Sequence, residues 1–531
     1  MNVLKKNKYW RVTLLTLLIL LFLFTSLSMT KFVSPEAGGS DSAGYLLNAK
    51  KIIGTYQTKN ITPTKFEDVN CGALDSMVTA RVFPSDDCKY IDRKPTYPAG
   101  LGLMHAISIS IFGDNSLGRS FASASSFTGI IFVLFFFVYK TTKKYFLAFS
   151  SILFFVFSKQ TIFSLTSNIS DLPGSFWVLL TTFIVYLLFN EIEKSKVVRI
   201  PKNSRNPAKM RKKAKSTDFP WSILLVVLFS NSFWMLFLTR EVNVIAAIPL
   251  FMLILRFPVK EKRFILVSLL AFGTIYLSLR YFVNGVLFQP SYGSGIFSLL
   301  TSRGIDENIL NQLFYLFSLL GIGFFVLFLQ PVKKISFLRF LDLQILFIFI
   351  FYLFYPFMGE SWWDGRFVLS VGPLLIVSFM VKIDYFIGNS TYFLVRKNLK
   401  LVLSMVLIFS TASFFNNFSR NDVSPYRNLL VDSPAYRNVE PTMEFIQSRF
   451  PEGAVIVTVD FSASARYYLD NSKFKFLWLP ELEKFDPAVI KNSFPETYWI
   501  YNSIYSKPDV SIMNQLTPIA SFGSTQIDLL K

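Results

Sequence analysis

Residues 118–163 read GRSFASASSFTGIIFVLFFFVYKTTKKYFLAFSSILFFVFSKQTIF, two long apolar runs joined by the short basic connection 140–145. A membrane-spanning helix needs roughly 20 mostly apolar residues to cross about 30 Å of hydrocarbon, and both runs come close to that length. Similar runs recur along the chain, at residues 12–30, 118–138, 145–163, 172–189, 220–239, 242–256, 263–283, 312–330, 338–356, 367–382 and 398–416. The pattern predicts a polytopic, all-α membrane domain of about 11 spans.

The connections between these runs alternate in charge. Lys and Arg concentrate before the first run and in the connections 140–145, 190–219, 256–263, 331–339 and 382–400. The remaining connections are less basic, and several carry acids: 32–97, 164–171, 240–241, 284–311 and 359–366. Because cytoplasmic loops are enriched in Lys and Arg, the pattern predicts a multi-pass plasma membrane protein. Its N-terminus is cytoplasmic, and the chain from residue 416 onward is outside.

The composition excludes an ordinary soluble protein, because 52% of the 531 residues are hydrophobic and the mean hydropathy is +0.43. A net charge of +20 suggests nucleic-acid binding at first sight. However, ten Lys and Arg residues lie in the loop 190–219, between two spans, where topology and anionic lipid account for such charge. We therefore expect contact with membrane lipid and no nucleic-acid partner.

Two apolar stretches have an alternative interpretation. Residues 12–30 resemble a signal peptide, but the run is long and no small-x-small cleavage site follows it, which favours a retained anchor. A full crossing at 98–113, PAGLGLMHAISISIFG, would break the charge alternation, so we interpret this stretch as a re-entrant or interfacial helix. The chain's one histidine, His105, lies there and is predicted to be packed rather than to bind a metal.

The sequence predicts two domains. Residues 1–416 form the membrane domain, with a long outside loop at 31–97. Residues 417–531 lack a spanning run and form a small extracytoplasmic α/β domain. An amphipathic helix at 440–450, strands at 454–460, 474–479 and 498–501, and a helix at 462–469 are expected there.

Only two cysteines occur, Cys71 and Cys88, and both lie in the long outside loop. In an oxidising compartment they would pair as a disulfide, and two free thiols are the alternative.

Charged residues collect near the outer ends of the spans, which suits chemistry at the outer membrane surface better than a transport path. Asp41 stands at a predicted helix start just beyond the first span, where it can act as a general base or cap the helix. Asp171 stands at the outer entry of another span, and an ordinary helix start is again the alternative.

Three basic residues are candidates for binding a phosphate. Arg240 lies in a tight outside turn next to Glu241, Arg366 lies beside Asp364 at the mouth of a span, and Lys94 follows Arg93 before residues 97–98. A guanidinium recognises phosphate well, while a neutralised or solvated charge pair is the alternative at each position. The sequence contains no Gly-rich phosphate loop, no H-E-x-x-H and no G-x-S-x-G. An enzyme here must therefore use an activated substrate that is already in the membrane.

These residues, in this order, resemble the C-type, polyprenyl-phosphate-dependent glycosyltransferases, which include the protein O-mannosyltransferases and the lipid A aminoarabinose transferases. Five pieces carry the resemblance: Asp41 with Tyr45 and Ala49; KPTYPAGLGLMHAISISIFGDNSLGRSFASASS with Tyr97, Pro98, Phe112, Gly113 and Arg119; SNISDLPGSFWVLLTTFIVYLL; LFLTREVNVIAAIPLFMLIL with Thr239; and DGRFVLSVGPLLIV with Pro373. The chain departs from the family at Ser42, where a second acid is common, and in its cysteine-bearing insertion.

The resemblance implies an inverting glycosyltransferase. A sugar on a polyprenyl phosphate is transferred to an acceptor hydroxyl of a lipid, glycan or protein. Asp41 serves as the base, Asp171 is a second catalytic residue that places the acceptor or a metal, and the basic residues stabilise the leaving phosphate. No cofactor is certain, and a divalent metal is left open. A transporter or flippase predicts inverted repeats and broken mid-membrane helices, which the sequence lacks. A non-catalytic scaffold for cell-envelope assembly remains the other alternative.

Overall fold

The computed structural model describes residues 2–35, 40–55, 97–197, 219–284, 287, 305–320, 327, 336–354, 364–389, 439–458, 464, 467–469, 473–478, 496–502, 508, 510–523 and 525–530. Its helices are Asn2–Met29, Ser40–Ile52, Ala99–Phe112, Ser116–Thr142, Tyr145–Val156, Lys159–Thr166, Asp171–Val197, Phe219–Thr239, Val244–Ile254, Val259–Asn284, Ile305–Leu320, Ser336–Leu353, Gly372–Asn389, Val439–Arg449 and Val510–Met513. Short 3₁₀ helices span Thr30–Phe32, Glu241–Asn243 and Asp364–Val371.

Within this described part, five helical stretches are long and apolar enough to cross a membrane: Leu15–Phe32, Ser116–Thr142, Asp171–Glu193, Val259–Asn284 and Val368–Phe386. The mostly helical, multi-span character that the sequence predicts is therefore present. The total of about 11 spans stays a prediction, since residues 398–416 and part of 312–330 lie outside the described residues.

The run at 145–163, which the sequence predicts as one span, is not one continuous helix. Two helices, Tyr145–Val156 and Gln160–Thr166, meet there at an angle of 63°. The break falls at Ser158, whose φ of −72° and ψ of 127° are extended rather than helical. An apolar run reports hydrophobicity and not backbone continuity, so the sequence alone does not reveal this bend.

Several helices expose apolar side chains. On Asn2–Met29, Leu20 and Phe24 are 56% and 71% exposed, and on Val259–Asn284 Leu266 and Leu270 are 57% and 64% exposed. Exposed apolar surface on long apolar helices is what contact with lipid requires.

The chain divides into two compact units that are discontinuous in sequence. The first unit comprises Met1–Val33, Phe121–Phe282 and Val286–Leu429, and the second comprises Ser34–Ser120, Val283–Gly285 and Leu430–Lys531. The contiguous division at 416/417 that the sequence suggests stays a prediction. The second unit takes in Ser34–Ser120 because Leu46, Ala106 and Ile109 share an apolar cluster with Tyr467.

In the first unit, helix Asp171–Val197 packs against Phe219–Thr239, and Val244–Ile254 packs against Ser336–Leu353. The core is rich in aromatic rings. Phe137, for example, is fully buried, and its ring centroid lies 5.1 Å from Phe183 and 5.2 Å from Tyr186. Such tilted pairs add stability beyond the area that they bury.

The second unit contains helix Ala99–Phe112, which follows Pro98 and ends at Gly113. Gly113 adopts a φ of +85°, and its N–H closes the last turn on Ile109 O at 2.8 Å. At 14 residues the helix is about 21 Å long, too short for an upright crossing. Its re-entrant or interfacial placement stays a prediction. His105 is fully buried, which confirms that it is packed.

The second unit also holds a five-stranded sheet of β1 Val455–Thr458, β2 Lys475–Trp478, β3 Thr497–Asn502, β4 Leu516–Phe522 and β5 Thr525–Leu530. The strand order is β2-β1-β3-β5-β4. The β1–β2 and β1–β3 pairs are parallel, whereas β3–β5 and β4–β5 are antiparallel. Helix Val439–Arg449 contributes Val439, Met443 and Ile446 to the apolar core over the sheet. The helix and the first three strands confirm the sequence prediction, while β4 and β5 were not predicted.

Candidate functional site

The structure brings two of the predicted site residues together. Asp171 is the first residue of helix Asp171–Val197, and Arg240 follows directly after helix Phe219–Thr239. The Nη1 group of Arg240 donates a hydrogen bond to Oδ1 of Asp171. The side chains of Arg240 and Asp171 are only 13% and 5% exposed. Removing one member of a buried ion pair is strongly destabilising, so the stability of the folded state depends on both side chains.

The segment that leads into Asp171 is fixed by polar contacts. Asn168 adopts a positive φ of 53°, and its Oδ1 accepts a hydrogen bond of 2.6 Å from Ser123 Oγ. One turn after Asp171, Ser175 Oγ donates to Leu369 O at 2.7 Å. Leu369 belongs to the 3₁₀ helix Asp364–Val371, which also carries Arg366. This hydrogen bond therefore joins the helix that begins with Asp171 to the 3₁₀ helix that contains Arg366.

Glu241, the neighbour of Arg240, contacts a different partner. Arg280 Nη2 donates to Glu241 Oε1, and the two side chains are 4% and 9% exposed. The guanidinium of Arg280 also lies 5.2 Å from the ring centroid of Phe237. The sequence analysis did not identify Arg280. The one signal that could have indicated it is the presence of a charged residue within the apolar run 263–283.

Asn243 lies beside the Asp171–Arg240 pair. Its backbone N–H donates to Arg240 O at 2.9 Å. A Cβ placed on Gly174 would lie 2.9 Å from Asn243 Nδ2 and 3.7 Å from Arg240 Cβ. The absence of a side chain at Gly174 thus allows the Asn243 amide to pack against the first turn of the Asp171 helix.

Asp41 is the second residue of helix Ser40–Ile52, which belongs to the second unit, and the structure describes its backbone but not its side chain. Contacts on the helix face that contains Gly44 and Asn48 hold this helix in place. A Cβ on Gly44 would lie 2.0 Å from the Tyr97 ring. Asn48 Nδ2 and Asn284 Nδ2 both donate to Tyr97 O at 2.9 Å. These contacts pre-organise the helix on which Asp41 stands.

The same helix carries Lys50, which enters a group that we call the Arg119 cluster: Lys50, Asp114, Arg119, Glu440, Tyr467 and Tyr468. Arg119 donates to Asp114 Oδ1 through Nε at 2.7 Å and to Glu440 Oε1 through Nη1 at 3.0 Å. Tyr467 also donates its hydroxyl to Asp114 at 2.7 Å. Lys50 Nζ lies 3.5 Å from Asp114 and 3.7 Å from the ring centroid of Tyr467.

Electrostatics in the Arg119 cluster favour ionised Asp114. Burial raises the pKa of Asp114. The hydrogen bonds from Arg119 and Tyr467, with the charges of Arg119 and Lys50, more than offset this, so its pKa lies below the ordinary value. Burial lowers the pKa of Lys50, partly opposed by the charge of Asp114. The sequence singled out only Arg119 of this cluster, through the family resemblance.

The remaining candidates are described in part or not at all. Arg366 is described by its backbone alone, while Lys94, Cys71 and Cys88 lie outside the described residues. Across the described part of the chain, no group of three or more His, Cys, Asp or Glu side chains is placed to hold a metal ion.

Comparison with known proteins gives a match in structure. No protein-family model matches the chain, and no curated protein matches its sequence. Two crystal structures of ArnT from Cupriavidus metallidurans share its fold. One is bound to undecaprenyl phosphate, with a TM-score of 0.55 and 10% sequence identity, and the other is in the apo state, with 0.53 and 11%. Each match covers 97% of this chain and 98% of the other. The chain therefore has the fold of ArnT over almost its whole length, that of a polytopic membrane protein.

Proposed function

We propose that this protein is a membrane glycosyltransferase that uses a polyprenyl-phosphate sugar as its donor and acts at the outer face of the plasma membrane. The observation that carries the proposal is the full-length likeness in fold to ArnT, one structure of which binds undecaprenyl phosphate. The ordered sequence pieces that resemble C-type glycosyltransferases support it independently.

In the proposed reaction an acceptor hydroxyl attacks the anomeric carbon of the donor sugar with inversion. The acceptor oxygen bonds to that carbon while the bond from the carbon to the phosphate oxygen breaks. The hydroxyl proton passes to the carboxylate of Asp41, and the polyprenyl phosphate leaves with the electron pair. No covalent enzyme intermediate forms, so positioning and general-base catalysis provide the rate.

The leaving phosphate is assigned to Arg240, Arg366 and Lys94. A guanidinium presents five N–H donors and recognises phosphate well, and one N–H group of Arg240 binds Asp171. This pairing changes the role proposed for Asp171. A buried carboxylate that binds a guanidinium is better suited to holding Arg240 in place than to accepting a proton, and we assign Asp171 as its positioning residue.

The predicted orientation and domains belong to the proposal. Residues 190–219 face the cytoplasm, and the α/β domain at 417–531 lies outside. A single Cys introduced at Ser511, in a background without Cys71 and Cys88, should react with impermeant reagent from outside intact cells.

A Cys71–Cys88 disulfide would stabilise the loop by roughly 3 kcal/mol, and it is checked by the mass of protein purified without reductant.

The central experiment measures sugar transfer from labelled polyprenyl-phosphate sugars by purified enzyme. Asp41→Asn removes the basic oxygen but caps a helix about as well as Asp, so transfer should fall by roughly 100-fold or more while the protein stays folded. Glu444→Gln, on an exposed position of helix Val439–Arg449, is the matched carboxylate control and should keep full activity.

Full transfer by Asp41→Asn would remove the catalytic assignment. Binding of the donor by the wild type without any transfer would instead favour a lipid flippase or an envelope scaffold.

A further inference from the structure

Asn243 is fully buried, although its side chain has unmet hydrogen-bonding capacity. Within the described residues, neither Oδ1 nor Nδ2 of Asn243 has a hydrogen-bond partner. Buried amides are normally bonded, because burial without partners forfeits the hydrogen bonds that water would supply. An exception beside the Asp171–Arg240 pair needs a physical reason.

The position of the amide suggests that reason. Asn243 and Arg240 are linked through a backbone hydrogen bond of 2.9 Å, so they share one turn. Nδ2 faces Gly174, three residues after Asp171. The amide therefore lies close to the side chain of Arg240, to which the proposed function assigns the donor phosphate. In a sugar phosphate, the ring hydroxyls nearest the anomeric carbon lie immediately beside that phosphate.

The hydrogen-bonding capacity of the amide limits which ligand groups can satisfy both of its polar atoms. Oδ1 only accepts hydrogen bonds, and Nδ2 only donates them. A phosphate oxygen only accepts and would leave Oδ1 unmet, whereas an ammonium group only donates and would leave Nδ2 unmet. A sugar hydroxyl does both, and two neighbouring hydroxyls on one ring can satisfy both amide atoms together.

We propose that the amide of Asn243 binds ring hydroxyls of the donor sugar and so contributes to sugar selectivity. This inference rests on the proposed function. In the structure the amide is enclosed, so binding requires the short turn Arg240–Asn243 to open. The unmet polar atoms make the enclosed state less favourable than an apolar equivalent, which lowers the cost of that opening.

The test compares two probes on purified protein: undecaprenyl phosphate alone, and a panel of undecaprenyl-phosphate hexoses and pentoses. Wild type should bind at least one sugar-bearing probe about tenfold more tightly than the bare phosphate, as two neutral hydrogen bonds allow. Asn243→Leu, of similar size, should lose that preference and keep its affinity for the bare phosphate. Asn243→Ala is the second variant, in case Leu disturbs the turn.

A thermal measurement without ligand distinguishes binding from a structural role. Asn243→Leu should raise Tm or leave it unchanged, because it removes two unmet polar atoms. Ser230→Ala is the matched control. Ser230 Oγ is also buried without a described partner, nine residues before Thr239 on the same helix, and its loss should leave both affinities unchanged.

The outcomes separate the two proposals. Failure of wild type to bind undecaprenyl phosphate would count against the proposed function. The Asn243 assignment is overturned in three other cases: wild type binds all sugars no better than the bare phosphate, a folded Asn243 variant keeps the sugar preference, or Asn243→Leu lowers Tm by several degrees, which would mean that the amide is bonded within the fold.

Discussion

The Asp171–Arg240 pair and the Arg119 cluster hold charge in opposite ways. The pair, in the first unit, is nearly enclosed, with side chains 5% and 13% exposed. The Arg119 cluster, in the second unit, leaves the side chains of Asp114 and Glu440 35% and 36% exposed and gives Asp114 three partners, Arg119, Lys50 and Tyr467. Loss of one member of an enclosed pair strongly destabilises the fold, because the charge of the other member stays buried. In a partly exposed network, neighbouring residues and water replace the lost contacts, so the loss of one residue costs less stability.

The largest effect is expected from breaking the enclosed pair. Asp171→Ala removes the carboxylate that binds the buried guanidinium of Arg240, which should reduce the free energy of unfolding by about 3–5 kcal/mol. Unfolding titrations of protein purified in detergent measure this loss. The double variant Asp171→Leu/Arg240→Met should recover most of the stability without recovering transfer, because it removes both charges together. Equal stability of the single and double variants would contradict this view of the pair.

A smaller effect is expected at the centre of the Arg119 cluster. The Arg119 side chain is 8% exposed and donates to both Asp114 and Glu440. Arg119→Met keeps the aliphatic packing but removes these charged hydrogen bonds, which should cost about 2 kcal/mol. Asp114 retains Lys50 and Tyr467, so the cost should stay below that of Asp171→Ala in the same titration. A cost equal to or above that of Asp171→Ala would show that the cluster does not redistribute its contacts.

These two regions also show what the sequence can predict. Apolar runs of span length located most of the long helices, because burial in lipid demands uninterrupted hydrophobicity. The apolar, β-branched run 454–460 likewise located β1. Strand β4 was missed because Leu516–Phe522 contains Pro518 and carries polar residues on a largely exposed edge strand.

The site was predicted less completely than the fold. Asp171 and Arg240 were both named from sequence, but their contact joins residues 69 positions apart and only the folded chain reveals it. Arg119 meets Glu440 across 321 positions and Tyr468 across 349. No local pattern encodes such partners. The amide of Asn243, which is buried and has no hydrogen-bond partner among the described residues, could not be recognised either, since in sequence it is one Asn in a turn.

The third-largest effect concerns Asp114, whose contribution to the free energy of unfolding should depend on pH in the acid range. Because the net pKa of Asp114 lies below its ordinary value, its ionised form stabilises the folded state above the ordinary carboxyl pKa of about 3.9. That contribution is lost as the pH falls below this value and Asp114 takes up a proton. Asp114→Asn should therefore cost about 1 kcal/mol at pH 7, after allowance for its partial exposure.

The measurement is the difference in unfolding free energy between wild type and Asp114→Asn from pH 7 down to pH 3. The difference should shrink in the acid range, since protonation abolishes in the wild type what the substitution removes. A difference that does not change with pH would mean that Asp114 contributes through shape rather than charge.

The smallest effect should come from Tyr467→Phe, which separates two contacts made by one side chain. The hydroxyl donates to Asp114 at 2.7 Å, while the ring lies 3.7 Å beneath Lys50 Nζ. Burial raises the pKa of Tyr467, so the hydroxyl stays protonated and keeps donating at neutral pH. Phe removes the donor and keeps the ring, and since Arg119 and Lys50 still satisfy Asp114 the cost should be about 0.5–1 kcal/mol. Tyr468→Phe, whose hydroxyl lies 3.4 Å from Arg119 Nη1, is the control and should cost less. A loss above 2 kcal/mol in Tyr467→Phe would show that Asp114 depends on one partner, as Asp171 does, and would remove the contrast between the two regions.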